Sequence, residues 1–230
     1  MAEQENPAFD IERLSSDAME VLLDEAEDGE MFEEALRLNG DNPGILKLLC
    51  IHPATPPAVR AEAARALGMS PEKAAHLPGT KKSDQAEDAK RESLAKKIRG
   101  LSAGEKLRIS MKAGREARTV LLKDSNKQVV LGVIANPKIT ISEVELVART
   151  RSMPEEVLRE IAKNKEWVKN YSVIYGLASN AKTPPAVTVG FLPWIKSKDL
   201  HLLLKNKDVP DAVRTAARRF AEMRAKKQQS

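Results

Sequence analysis

The side chains that most often carry catalysis or bind metals are few and scattered in this chain. The three histidines, His52, His76 and His201, are isolated, and no cysteine pair or His-Glu-x-x-His helix supplies clustered metal ligands. No glycine-rich phosphate loop precedes a helix in the required form, and no Gly-x-Ser-x-Gly elbow presents a nucleophile. The sequence therefore predicts no catalytic residue, metal site or cofactor, and an enzyme is the least favoured class.

The aromatic side chains are concentrated in one short stretch. Trp167, Tyr171, Tyr175 and Trp194 are half of all aromatic residues and lie within 28 positions. We interpret them first as wedges between helices. The alternative is that they are partly exposed anchors on a binding face, because Trp and Tyr dominate interface hot spots. Under that alternative, Trp167, Tyr171 and Trp194 are candidate binding residues.

Basic side chains form two further groups, one around residues 96–118 and one in residues 214–227. A solvated face is the simpler interpretation of both. In the second group, however, Arg214 and Arg218 share one helical stripe, which would suit phosphates or an acidic protein. The candidate basic binding residues are Arg115, Arg118, Arg214, Arg218 and Arg219.

Charge is distributed very unevenly along the chain. Residues 1–45 hold 14 Asp and Glu against Arg13 and Arg37, a net charge of −12, so the remainder carries +17. Such an acidic head on a basic body is consistent with intramolecular docking of the N-terminus, with an acidic partner for the body, or with a role in solubility alone.

Composition indicates a reducing, aqueous environment. Cys50 is the only cysteine and forms no internal disulfide, which favours the cytoplasm and a buried, inert thiol. The N-terminus lacks the basic and apolar regions of a signal peptide. The longest strongly apolar run, 129–135, is far shorter than the roughly 20 residues of a membrane helix. We expect no membrane association.

The elements that must position these residues are short helices. Hydrophobic residues make up 42% and aromatics only 3%, which favours close-packed helices of Leu, Val, Ile and Ala over a sheet sandwich. Ser102, Thr140 and Ser152 each precede a glutamate by three positions, which predicts three capping boxes. We also expect a helix over Val168 to Ser179. Pro193 should bend or end a helix, and the basic tail after Met223 should fray.

One sequence motif, which ends a helix and starts the next, recurs along the chain. In one copy, Asn180 is predicted to end a helix in the left-handed conformation, Thr183 to cap the next helix, and Pro184 to occupy its first position. A valine always follows the stop by seven or eight residues. The four copies run from His52 to Val59, from Asn136 to Val144, from Asn180 to Val187 and from Asn206 to Val213.

The spacing of the copies fits helix pairs of about 40 residues, as in HEAT-type arrays. Val144 and Val187 are 43 residues apart, and Val59 and Val144 are 85 apart, about two such units. Each pair cannot bury its apolar face alone, so neighbouring pairs would stack. A generic helical bundle is the alternative.

The capped, alanine-rich helix pairs resemble HEAT-like repeats, particularly the short variant repeats of bacterial proteins. The segment from about Gly104 to Phe220 resembles bacterial proteins of unknown function that share a phrase like residues 136–140 and the run 161–167. The resemblance implies an all-α fold, a HEAT-like α-solenoid of short antiparallel helix pairs. HEAT-like scaffolds mostly bind proteins, and a minority bind DNA.

The sequence thus predicts three regions. They are an acidic helical module over 1–78, a polar linker over 79–92, and a basic HEAT-like helical-repeat domain over 93–230. The linker has no large apolar residue, which indicates a solvated hinge, with a polar helix as the alternative. We expect a non-enzymatic scaffold for protein–protein interaction in a bacterial cytoplasm. The alternative is sequence-independent binding of nucleic acid by the basic domain.

Overall fold

The computed structural model describes residues 11, 14–26, 28–69 and 87–229, and these ranges contain helices and no strands. The all-α prediction is confirmed for this part of the chain. Two short 3₁₀ helices, Trp167–Lys169 and Leu192–Trp194, interrupt the α-helices. The α-helices are α1 Ser16–Asp24, α2 Glu30–Leu38, α3 Pro43–Ile51, α4 Pro57–Ala66, α5 Glu87–Gly100, α6 Ala103–Ser110, α7 Arg115–Leu121, α8 Lys127–Ile134, α9 Ile141–Arg149, α10 Glu155–Lys163, α11 Tyr171–Ser179, α12 Pro185–Phe191, α13 Ser197–Lys205 and α14 Asp211–Gln229.

The chain divides into two compact units, Met1–Lys138 and Ile139–Ser230. In the first unit, α1 packs against the two helices that follow it, α2 and α3, and also against the more distant helices α5 and α6. The helices before residue 70 therefore share a unit with α5 to α8. The largest fully buried side chains of this unit include Met19, Phe32, Leu49, Ile98 and Ile109.

The predicted linker falls partly on helix α5. Residues 79–86 lie outside the described residues, whereas 87–92 form the first turns of α5, as the polar-helix alternative expected. Farther along, α5 buries Leu94, Ala95 and Ile98. The division into compact units differs from the predicted one because α1 packs on α5 and α6. Whether 93–230 folds as a domain stays a prediction.

The second unit is built from α9 to α14. Helix α9 packs against α11, α12 against α14, and α13 against α14. Its core joins the end of the aromatic stretch to the last helix, so the elements that surround Trp194 are held by apolar contacts. The buried side chains of this core include Leu192, Ile195, Leu200, Leu203 and Val213.

Two of the three predicted capping boxes are present. Ser102 and Thr140 each accept the backbone N–H of a glutamate three residues on, and that glutamate accepts the N–H of the cap. The box predicted at Ser152 is wrong, because α10 begins at Glu155 without a side-chain cap. Pro154 disfavours helical backbone at the residue before it, so no helix can start at Met153.

Asn180 ends α11 as predicted but not in the left-handed conformation, and the predicted roles of Thr183 and Pro184 are wrong. Asn180 has extended backbone (φ −87°, ψ 121°), and no described residue other than glycine has positive φ. Helix α12 starts at Pro185, with Pro184 as an N-cap at ψ 133°. A proline pushes its predecessor towards extended backbone, so Pro185 delays the helix by one residue and moves its N-terminus beyond Thr183.

The segment around α11 differs from the single predicted helix. The helix expected from Val168 is split, because Asn170 accepts the N–H groups of Ser172 and Val173 at 2.7 and 3.4 Å and caps α11. The predicted break at Pro193 is confirmed, since α12 ends at Phe191 and a 3₁₀ turn follows.

The C-terminal helix is longer than expected. We predicted fraying after Met223, but α14 continues to Gln229, so that expectation is wrong. One contact that holds the end of α14 is made by Arg224, whose side chain donates two hydrogen bonds to backbone carbonyls outside α14.

The recurring asparagine has a role that the sequence did not predict. The Asn136 side-chain amide donates to the carbonyls of Ser110 and Ala113 at 2.9 and 3.1 Å. In the second unit, Asn180 donates to the carbonyls of Ala148 and Thr150 at 2.9 and 3.0 Å. Each asparagine thus bonds one carbonyl in the last turn of an earlier helix, α6 or α9, and one carbonyl just beyond that helix.

A glycine four residues before each asparagine allows the same two helices to approach closely. A Cβ on Gly132 would collide with Ser110 Oγ, and one on Gly176 would lie 3.1 Å from Ala148 Cβ. The Gly-x-x-x-Asn pattern therefore occurs twice, 44 positions apart. It lies at the contact between α6 and α8 and at the contact between α9 and α11.

Candidate functional site

A large aromatic side chain stands out from the second unit at the end of α12. Trp194 is 64% exposed, whereas Leu192 in the same 3₁₀ turn is fully buried. The turn forms because Pro193 lacks the N–H that would continue α12. Phe191 lies beside Trp194, with ring centroids 6.4 Å apart and planes tilted by 57°. We call Phe191, Trp194, Lys196, Tyr171 and Arg224 the Trp194 face.

Arg224 holds the backbone on both sides of Trp194. Its guanidinium donates to the carbonyl of Pro193 and to the carbonyl of Ile195, each at 2.5 Å. Hydrogen bonds from a charged donor are stronger than neutral ones. The main chain that carries the exposed ring is therefore fixed to α14 rather than free to fold the ring against the core.

Tyr171 and Lys196 form the adjoining part of the Trp194 face. The Tyr171 hydroxyl donates to the Asp199 carboxylate and accepts the backbone N–H of Lys196 at 3.2 Å. The Lys196 ammonium lies 4.6 Å from the centroid of the Tyr171 ring, and the Tyr175 ring is stacked on Tyr171 at 6.3 Å. Burial, reinforced by Asp199, raises the pKa of Tyr171, so the phenol keeps the proton that it donates.

The exposed apolar side chains are confined to one unit. Among the described residues, all large hydrophobic side chains that are exposed lie in Ile139–Ser230. They belong to α9, the 3₁₀ turn, α13 and α14, and Trp194 is the most exposed of them. They are Ile141 at 38%, Leu146 at 58%, Trp194 at 64%, Leu202 at 54% and Met223 at 56% exposure.

The structure treats the three predicted aromatic candidates differently. Tyr171 and Trp194 both contribute to the Trp194 face, and only Trp194 is largely exposed. Trp167 is half-buried in its own 3₁₀ turn, where the Asn164 side chain accepts its backbone N–H at 3.3 Å. Within the described residues, no ring contact joins Trp167 to the others.

The predicted basic candidates do not form one patch. Arg115 is exposed at the start of α7. Arg118 is only 3% exposed and donates to the carbonyl of Ala113 at 3.1 Å, so the expectation of a surface residue is wrong there. Arg118 lies one helical turn after Gly114, and its side chain turns back to bond a carbonyl in the segment between α6 and α7.

The three remaining arginines lie on α14. Arg214 is half-buried and pairs with Asp211, one turn earlier on the same helix. Arg218 and Arg219 are exposed.

Sequence reasoning did not select Phe191, Lys196 or Arg224 for this face. Arg224 was noted only as part of a basic tail, and its contact with residues 193 and 195 has no local signal. The Leu-Pro-Trp sequence at 192–194 is a usable signal for the end of α12, because a proline in this position interrupts the helix.

A polar cluster around His52 in the first unit has no open position for chemistry. The His52 Nδ1 atom accepts the N–H of Ala54 at 3.3 Å, so Nε2 carries the proton and donates to Asp24 at 3.3 Å. Burial opposes charge on Asp24, but the His52 and Lys97 side chains outweigh it and lower the pKa of that carboxyl. Both ring nitrogens are used, so His52 has no lone pair left for a general base.

Metal and membrane signatures are absent from the described ranges. No group of three His, Cys, Asp or Glu side chains is arranged to hold a metal ion there, and His76 lies outside these ranges. No helix in those same ranges has the length and apolarity needed to cross a bilayer.

Comparison of the chain with protein-family models, with curated proteins and with solved structures found no match in any of the three. The all-helical architecture is therefore established by the structure itself, and membership in a HEAT-like family stays a prediction.

Proposed function

We propose that this protein is a non-enzymatic, HEAT-like helical-repeat module that binds another protein through its second unit, Ile139–Ser230. The observation that carries the proposal is that, among the residues that the structure describes, the exposed large apolar side chains all lie in that unit. Large exposed apolar patches mark interaction surfaces, whereas scattered single apolar residues are normal, and we infer such a surface from the concentration of these side chains in one unit.

Two contacts support a HEAT-like stacking of helix pairs. The Gly-x-x-x-Asn pattern of α8 recurs in α11, and in each unit it joins a helix to the helix two elements earlier. In a stacked repeat, equivalent helices of neighbouring pairs lie side by side. The contacts of α6 with α8 and of α9 with α11 fit that arrangement.

Trp194 is the best placed anchor for a partner. Tryptophan is among the residues most enriched at interface hot spots, and it loses little conformational entropy on binding. Because Arg224 holds the flanking carbonyls, the ring is presented by a fixed backbone. Such preorganisation lowers the entropic cost of association.

The proposal is tested by selecting binders from a displayed library of random peptides with the immobilised full chain. We expect enriched peptides to bind the wild type and to lose at least tenfold in affinity with Trp194→Ala. Trp167→Phe is the matched control, because Trp167 is half-buried and outside the Trp194 face. Far-UV circular dichroism checks that each variant is folded.

Two results would overturn the proposal. One is that no peptide is enriched over a blank surface. The other is that enriched peptides bind Trp194→Ala and the other single variants of exposed apolar residues, Ile141→Ala, Leu146→Ala, Leu202→Ala and Met223→Ala, as well as they bind the wild type.

A second candidate function is sequence-independent binding of nucleic acid. Arg218 and Arg219 are exposed on α14, and neither has a carboxylate partner among the described residues. The affinity for a single-stranded oligonucleotide would then fall steeply with salt. Fluorescence anisotropy of labelled oligothymidylate across a salt series tests this, and Arg218→Glu with Arg219→Glu should reduce both the affinity and the salt slope.

A further inference from the structure

The segment that carries Trp194 has an excess of positive charge that its own carboxylates do not neutralise. Residues 191–230 contain ten Lys and Arg against four Asp and Glu, a net charge of +6. Three of the four carboxylates already have partners. Asp199 accepts the Tyr171 hydroxyl, Asp208 pairs with Arg151 at 2.7 Å, and Asp211 pairs with Arg214.

The cations of the same segment are largely unpaired. In the part of the chain that the structure describes, six of them make neither an ion pair nor a hydrogen bond through the side chain, and Lys196 is the one at the Trp194 face. The Arg224 guanidinium adds a further charge there, and its donors go to carbonyls rather than to an anion. The six are Lys196, Lys198, Lys205, Lys207, Arg218 and Arg219.

From this charge and the exposed ring, and resting on the proposed protein-binding function, we propose that the Trp194 face binds an acidic peptide segment of a partner protein. An apolar side chain of the peptide packs against the Trp194 ring, and flanking carboxylates lie near Lys196 and its neighbouring lysines. Electrostatic complementarity of this kind favours anionic partners and speeds their association.

The ring geometry favours a peptide over a nucleic acid. Single-stranded nucleic acids use several exposed rings on which successive bases stack. Here the Tyr171 ring is stacked with Tyr175 and lies 4.6 Å from the Lys196 ammonium. Phe191 is half-buried and tilted against Trp194, so Trp194 is the largely exposed ring among the three rings of the Trp194 face. One apolar anchor with charged surroundings suits an apolar side chain within an acidic sequence.

The chain offers a direct optical readout, because Trp167 and Trp194 are its two tryptophans. In full-length Trp167→Phe, Trp194 is the sole tryptophan fluorophore. The probes are three synthetic peptides without Trp, each twelve residues long with Leu and Phe four positions apart. The remaining positions are Glu in the first peptide, Gln in the second and Lys in the third.

We expect the Glu peptide to shift Trp194 emission to the blue and to bind at least about tenfold more tightly than the Gln peptide at low salt. Two to three exposed ion pairs of less than 1 kcal/mol each supply such a factor. The Lys peptide should not bind. The advantage of the Glu peptide should shrink as salt shortens the Debye length.

A matched pair of charge reversals locates the contact. Lys196→Glu should abolish the advantage of the Glu peptide over the Gln peptide. Lys205→Glu should retain most of it, because Lys205 ends α13, roughly 12 Å along the helix from its start at Ser197. Equal effects of the two reversals would overturn the placement of the carboxylates at the Trp194 face.

The remaining outcomes separate this inference from the proposed function. If the Gln peptide binds as tightly as the Glu peptide, the acidic partner is wrong and protein binding stands. If no peptide shifts Trp194 emission while oligothymidylate quenches it, the face binds nucleic acid and both proposals fall. If no probe changes the emission, the acidic-peptide inference is overturned, and the library selection decides the proposed function separately.

Discussion

Glu25 caps a helix that lies far from it in the sequence. Its carboxylate accepts the backbone N–H of Glu116 at 2.7 Å and of Ala117 at 3.1 Å, at the start of α7. Gly114, the N-cap residue of α7, has no side chain to do so. A Cβ on Gly114 would lie 2.6 Å from Glu25 Cβ, so glycine is required there for Glu25 to approach.

We predict that Glu25→Gln and Glu25→Ala change the free energy of unfolding by different amounts, or in opposite directions. Burial raises the pKa of the Glu25 carboxyl, so folding costs more when this group is charged. Glutamine keeps an acceptor without charge, and Glu25→Gln should be as stable as the wild type or more stable at pH 7. Glu25→Ala leaves the N–H groups of α7 without their cap and should cost about 1 kcal/mol.

The stability difference between Glu25→Gln and the wild type should change with pH in a defined direction. Because the folded protein holds the Glu25 proton more tightly than the unfolded chain, the wild type gains stability as pH falls from 7 through the raised pKa, down to the usual value of about 4.3. The difference between Glu25→Gln and the wild type should therefore shrink over that range. Urea unfolding at several pH values measures it, and an equal loss in both variants at pH 7 would contradict the prediction.

Two threonines in an identical Thr-Pro-Pro-Ala-Val sequence share an unusual environment. Thr55 and Thr183 are buried, and their hydroxyl oxygens have no hydrogen-bond partner among the described residues. The N-cap role expected for Thr183 does not explain these positions, because α4 and α12 begin at Pro57 and Pro185, two residues after each threonine. Burying an unpaired hydroxyl costs about 1–3 kcal/mol.

We predict that Thr183→Val matches or exceeds the wild type in stability, because it removes the unpaired hydroxyl and keeps the branched shape. Thr183→Ala should be less stable than Thr183→Val, since it leaves a cavity. Thr55→Val and Thr55→Ala should rank in the same order. Chemical denaturation measures all four. If Thr183→Val loses more than about 1 kcal/mol, the hydroxyl has a partner, such as a buried water.

At the scale of elements, sequence patterns predicted where most helices lie but not how they contact each other. The caps at Ser102 and Thr140 have local signals and were predicted. The bridge from Asn180 to the carbonyls of Ala148 and Thr150 spans about 30 residues and has no local signal. The same holds for Arg224, whose partners are the carbonyls beside Trp194.

The errors at helix starts have one physical cause. Before Glu155 and before Pro185, a proline restricts the preceding residue to extended backbone, which delays the helix by one or more positions. The sequence rule that Pro occupies the first helical position holds for Pro185 but not for Pro184 in a Pro-Pro pair. Ser152 and Thr183 then lie three and two residues before the first helical residue, and neither is the N-cap.

Three helical glycines offer a graded test of helix approach. Gly132→Ala should cost about 1–3 kcal/mol, because its Cβ would collide with Ser110 Oγ, which is itself bonded to the Leu107 carbonyl. Gly176→Ala should cost less, with Ala148 Cβ at 3.1 Å. Gly190→Ala has open space and should stabilise α12 by about 0.5–1 kcal/mol.

A double-mutant cycle identifies the contact behind the Gly132 effect. In a Ser110→Ala background the colliding oxygen is gone, and Gly132→Ala should cost measurably less than in the wild type. Thermal or urea unfolding supplies the four free energies of unfolding. An unchanged cost would show that the α6 and α8 backbones, rather than the Ser110 hydroxyl, set the limit.

For the whole molecule, part of the acidic N-terminal charge is already matched within Met1–Lys138. Lys97 contacts Glu20 at 3.0 Å and Asp24 at 3.2 Å, and Lys112 contacts Glu34 at 2.5 Å. These lysines belong to the basic group around residues 96–118, for which a solvated face is the simpler interpretation. Single exposed pairs contribute at most about 1 kcal/mol each, so apolar packing of α1 must supply most of the attachment.

The extent of each folding unit is therefore open to a direct experiment with three fragments. We predict that residues 139–230 alone give a helical circular dichroism spectrum and one cooperative melting transition, as does 1–138. The fragment 93–230 should instead show a second, lower transition and bind a hydrophobic dye, because α5 and α6 lose their packing against α1, leaving Leu94 and Ile98 uncovered. If the linker predicted at 79–92 instead separates two domains, 93–230 should unfold in a single transition and bind no dye. A single transition for 93–230 without dye binding would establish that boundary and show that the packing of α1 on α5 adds little to the fold.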